Sequence, residues 1–224
     1  MKFIRFLVPA LTALLFAVPI LRAQDFSKYR DFSLGTNLTT VLKRTEKKLA
    51  DVNTTHGAPA VFQEVTWWPP SPPGAYSRSD SVEHVLFYFL NGELYKIAVT
   101  YDQSSTEGLT AEDLIRTISA KYGPPSSVES EPASTLQMGY DMQQKTAASW
   151  QDSQYCLNLV RIASSNRFGL LIYSKRVNSE AELGLLEAAK FEKEQAPVRE
   201  AERQKKETDA LELTRQQNQK SFRP

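Results

Sequence analysis

Between Val82 and Tyr101 two runs rich in β-formers flank the dipeptide Asn91-Gly92. A two-residue hairpin turn needs positive φ at its central positions, and Asn followed by Gly adopts it at least cost. An antiparallel hairpin is therefore expected here, and the turn sets its register. Leu90 then faces Glu93, Phe89 faces Leu94, Phe87 faces Lys96 and Val85 faces Ala98. The other face pairs Tyr88 with Tyr95, Leu86 with Ile97, and His84 with Val99. Both faces are substantially apolar. That predicts a helix covering one side and partial cover on the other.

The rest of the chain supplies partners for this hairpin. Residues 24–35 are polar with aromatic punctuation at Phe26, Tyr29 and Phe32. Thr36 or Asn37 is placed to cap a helix whose buried stripe is Leu38, Val41, Leu42, Thr45 and Leu49. A loop is expected over 51–59 and a strand over 60–68, ended by Pro69, Pro70, Pro72 and Pro73, which form a stiff extended connection. Thr110 to Asp113 forms a near capping box ahead of Leu114, Ile115, Ile118 and Tyr122, and Gly123 with Pro124 and Pro125 closes that helix. A polar stretch at 126–135 precedes strands expected at 145–150, 154–162 and 167–175, the last two joined around Ser164, Ser165 and Asn166. Ser179 and Glu182 read as a capping box for a C-terminal helix. Ala181, Leu183, Leu185, Leu186 and Ala188 form its apolar stripe, and Pro197 interrupts it. Beyond Pro197 no heptad is sustained, so the segment reads as a solvated charged helix fraying into a tail rather than a coiled coil.

The first 23 residues read as an address. Lys2 and Arg5 precede an uncharged run from Phe6 to Leu21, and Ala23 is a small residue suited to the position before a cut. The run is short for a spanning helix and contains Pro9 and Pro19, so cleavage near Ala23 and export to a periplasmic or secreted location are expected over an anchor. No Cys lies near Ala23, so no lipid anchor is expected. Cleavage leaves 24 basic against 26 acidic side chains, a net −2. That balance argues against nucleic acid as a partner. A single Cys excludes an intramolecular disulfide framework and Cys-rich metal sites.

The order helix, Gly-x-Pro turn, three strands occurs at 36–101 and again at 110–175. Gly57-Ala58-Pro59 stands where Gly123-Pro124-Pro125 stands later. The expected fold is α+β: two similar helix-plus-antiparallel-sheet units in tandem, 24–104 and 105–177, and a long charged C-terminal helix and tail over 178–224. Phe32, Leu34, Gly35, Val41, the two Gly-x-Pro turns and the run Phe89 to Leu94 carry a resemblance. It is to the helix-plus-three-stranded-sheet modules of SmpA/OmlA-type outer-membrane assembly lipoproteins and of the β-lactamase-inhibitor-protein fold. The resemblance implies an exported binding module. The Cys that anchors those lipoproteins is absent here.

No chemical motif assembles along the chain. His56 lies in a loop beside Gly57, His84 on a strand among apolar neighbours, and Cys156 in a strand interior. Each is read first as structural. The alternative is a small exported hydrolase or thiol enzyme using His84, His56 or Cys156. The acidic pair Glu112 and Asp113 is explained by a helix first turn, and Glu129 and Glu131 by a polar loop. No cofactor or metal is expected. Trp67 and Trp68 are the unusual pair. Adjacent strand residues point to opposite faces, so the first expectation is both buried, one under each layer; the alternative makes one an exposed anchor. The expectation is a non-enzymatic binding or interaction module for another exported or envelope protein, extending to envelope assembly. Its binding residues would be Trp67, Trp68, Tyr88 and Tyr95. A further alternative is an inhibitor of an exported enzyme.

Overall fold

A computed structural model describes residues 25–70, 80–128, 144–162, 165 and 167–223. The expected address at 1–23, most of the proline run, Glu129 and Glu131, and most of the turn at 164–166 lie outside the described residues. The fold is α+β, with a long C-terminal helix.

The chain opens with a small ribbon, β1 (Lys28–Tyr29) and β2 (Phe32–Ser33). Helix α1 (Leu38–Thr45) follows, where the Asn37 side chain accepts from the Thr40 N–H as its cap. It ends at Glu46 in the left-handed conformation, so Leu49 falls in a separate 3₁₀ turn and is exposed, not part of the buried stripe. The expected loop over 51–59 contains strand β3 (Asn53–His56). Then come β4 (Phe62–Trp67), β5 (Val82–Leu90), β6 (Glu93–Tyr101) and the short α2 (Gln103–Thr106). Helix α3 (Ala111–Tyr122) carries the expected capping box between Thr110 and Asp113, and Gly123 follows at φ 74°. The second set of strands is β7 (Ser127–Val128), β8 (Gln144–Gln151), β9 (Tyr155–Ile162) and β10 (Arg167–Ser174).

These strands form one eight-stranded antiparallel sheet in the order β3-β4-β5-β6-β10-β9-β8-β7. The first four come from one half of the chain and the last four from the other. They meet where β6 pairs with β10, so the strands of the two expected units belong to one continuous sheet. One face of the sheet carries the main core. Val85, Phe87, Phe89, Ile97, Leu157 and Ile172 pack there against Leu38, Val41 and Leu42 of α1, Ile118 and Tyr122 of α3, and Phe26, Tyr29 and Phe32 of the N-terminal ribbon. Each such side chain removed from water contributes about 1.5–3 kcal/mol. Trp150 adds a tie from β8, donating its indole N–H to the Gly123 carbonyl at 2.8 Å.

The hairpin register departs from expectation one residue past the turn. Leu90 pairs with Glu93 and Phe89 with Leu94 as expected, but Tyr88 then pairs with Lys96, Phe87 with Ile97 and Val85 with Val99. Tyr95 is the extra residue of a β-bulge. A bulge lets two consecutive residues of one strand oppose one of its partner. Its physical cause is burial on both sides: Leu94 joins the main core while Tyr95 packs on the opposite face.

Helix α4 (Lys175–Ser221) starts directly after β10, capped by the Ser174 hydroxyl, four residues before the expected start at Ser179. Val177 and Ala181 pack against Phe62 and Tyr95 on the second face of the sheet, with Leu185 beside them. Gly184 permits this approach, since a Cβ there would lie 3.1 Å from the Phe62 ring. Leu183 and Leu186 point to solvent and are not part of the docking stripe. The helix runs through Pro197 without ending, so the expected break and frayed tail are not seen. Among the described residues no helix is long and apolar enough to cross a membrane.

Candidate functional site

The second sheet face, beyond the foot of α4, is covered by no described helix. Cross-strand pairing arranges its side chains in rows. The row at the foot of α4 reads Glu64, Tyr88, Lys96, Tyr173, Cys156 and Gln151 across six strands. The next row is Thr66, Leu86, Ala98, Leu171, Asn158 and Ser149. The third runs through His84, Thr100, Gly169, Val160 and Thr146, with Trp68 just past the end of β4. Leu86, Ala98 and Leu171 are half-buried, whereas Thr100, Thr146, Ser149, Cys156, Asn158 and Val160 are buried, so the accessible part of this face is an apolar patch on β5, β6 and β10.

Trp68 is 50% exposed and its ring lies 4.8 Å from that of His84. Trp67 turns to the main core and packs at 5.5 Å from Phe32. The expectation that both tryptophans are buried is therefore corrected: strand alternation sends one inward, and the other ends the strand beside the open face. The neighbouring Glu83 carboxylate binds Arg167 and lies 3.7 Å from His84 Nδ1.

In the first row, Lys96 stands between two tyrosines. Its Nζ lies 5.5 Å from the centre of the Tyr88 ring, and Tyr173 is its partner on β10. Among the described residues the ammonium makes no hydrogen bond or ion pair. Burial holds it below the usual lysine range, and the Glu182 carboxylate of α4 offsets part of that. Burial also pushes the Tyr88 phenol above its ordinary range, with Glu64 adding to it. Tyr173 is raised by burial first and then by contact with Cys156. Tyr95, expected as a binding residue, is 1% exposed beneath α4 and belongs to the core.

Cys156 is 4% exposed. Its thiol donates to Asn158 Oδ1 at 3.2 Å and lies 3.6 Å from the Ser149 hydroxyl. His84 is three strands across and four residues along, roughly 20 Å away at ordinary strand spacing and rise. His56 lies on the far edge of the sheet, where Nδ1 meets Glu192 of α4 at 2.8 Å. The structure thus brings neither histidine to the thiol. Among the described residues no three His, Cys, Asp or Glu side chains gather to hold a metal ion.

The sequence reading did not single out Lys96, Tyr173, Leu171 or Arg167. A signal for Lys96 was present: Leu94 and Tyr95 are consecutive large apolar residues in an alternating strand, which marks a bulge and moves Lys96 opposite Tyr88. The class these observations define is an α+β protein with a single antiparallel sheet, one face cored by helices and the other partly open. Comparison of the chain with family models, with curated proteins and with solved structures finds no match.

Proposed function

We propose that this chain is an exported, non-enzymatic binding module whose partner is another envelope or exported protein, docking on the open sheet face. The observation that carries this reading is Trp68, half exposed against His84 at the border of the Leu86, Ala98 and Leu171 patch. An exposed aromatic beside a half-buried apolar surface is the usual anatomy of a protein-binding hot spot. The basic, apolar and small-residue order of the first 23 residues supports export. The resemblance to outer-membrane assembly modules supports a role in envelope assembly.

The test is affinity capture from the native envelope with the mature chain as bait. Trp68→Ala is expected to lower the retained partner at least tenfold while leaving the melting temperature within a few degrees. Tyr88→Ala is expected to lower it as well, with a loss of stability because Tyr88 packs against the Phe62 and Tyr95 cluster. If the intact chain retains nothing, or if both variants retain the partner as well as wild type does, the reading fails. If the retained partner is an enzyme whose activity falls on binding, the module is an inhibitor, a more specific form of the same reading.

A further inference from the structure

We infer that Lys96 is the receptor for a carboxylate carried by the docking protein, an aspartate or glutamate side chain flanked by apolar residues. This rests on the binding reading above. The ammonium sits half-buried in the middle of the sheet with no acceptor among the described residues. The Glu182 carboxylate of α4 compensates this cation only in part, and no described acceptor takes a hydrogen bond from it. The Tyr88 ring supplies only a cation–π contact, and that contact leaves the N–H donors unused.

The surroundings select the ligand. Tyr88 and Tyr173 wall Lys96 on both sides, so an incoming group reaches it from above the sheet. One ammonium, without an arginine fork beside it, matches a single carboxylate better than a phosphate, which gathers more donors. The adjoining row offers Leu86, Ala98 and Leu171 to the apolar neighbours of that carboxylate. In a site this dry the resulting charge-assisted hydrogen bond is strong, and it fixes the register of the bound segment.

The probe is the peptide acetyl-Leu-Asp-Leu-amide against its Asn counterpart, titrated into the mature chain and followed by methyl NMR. The Asp peptide is expected to shift the Ala98 and Leu171 methyls and to bind at least tenfold more tightly than the Asn peptide. Lys96→Met, with Lys96→Gln as a second variant, both verified as folded by circular dichroism, is expected to erase that preference. Equal binding of the two peptides, a preference that survives in both variants, or no shift on this face with millimolar Asp peptide overturns the inference. If the Asn peptide binds the face as tightly as the Asp peptide, the binding reading still stands. That reading falls only to the capture outcomes stated for it above.

Discussion

Gly169 lies on β10 where it presses against β6. A Cβ at this position would come within 2.6 Å of the Val99 carbonyl oxygen, closer than real carbon atoms approach. Gly169→Ala is therefore expected to destabilise the fold by about 2 kcal/mol, read as a lower urea midpoint at unchanged slope. Lys96 poses the opposite case. Its folded pKa is depressed by burial, so the unfolded chain holds the proton more tightly. The resulting penalty is absent above the unfolded value and is complete once pH falls below the folded one. Lys96→Met removes that penalty and is expected to raise stability at neutral pH by up to about 1 kcal/mol, measured by chemical denaturation. A substitution that strengthens the fold while weakening carboxylate binding is what a functional lysine would show. At this scale the sequence was partly legible. Trp68 stood out because two tryptophans precede a proline run, but which of them faces solvent depends on where β4 stops. Lys96 was hidden by a one-residue bulge, and Tyr95 was read as a binding residue because no local pattern shows that α4 covers it.

Among the elements, local chemistry was the most readable. The Asn91-Gly92 turn, the Asn37 cap and the Thr110 capping box stand where short-range rules place them, since each depends only on residues within a few positions. The start of α4 was misread. Ser179 looks like a cap, but its hydroxyl donates to the Lys175 carbonyl inside a helix that has already begun. Pro197 was read as a break and instead sits within the helix. It has no N–H to give and its ring crowds the preceding turn. Pro197→Ala is thus expected to strengthen the local helix by about 1–3 kcal/mol, seen as slower amide exchange over residues 193–201. The sheet body should be unaffected, because nothing in this part of α4 is buried.

Over the whole molecule, the pairing of β6 with β10 was not legible. It joins residues 96–100 to 169–173, and no local pattern encodes a contact between strands so far apart in sequence. Burial perturbs tyrosines from both halves of the chain. Burial is the largest cause in each case, pushing Tyr29 up to about 12 and Tyr88, Tyr95, Tyr101 and Tyr173 higher still. Their protonated forms are favoured by the fold, so this stability is complete below pH 10 and is lost as pH rises through the folded values. Absorbance at 295 nm is expected to show these phenols ionising only as the protein unfolds above about pH 11, and near pH 10 in urea.

Residues 193–221 of α4 continue past Glu192, which meets His56 on β3. At 1.5 Å of rise per residue they extend roughly 44 Å along the helix. A partner on the open face and a second molecule bound at the far tip would therefore stand several nanometres apart, and Pro197, which gives the helix no N–H at its turn, is where a bend would bring them closer.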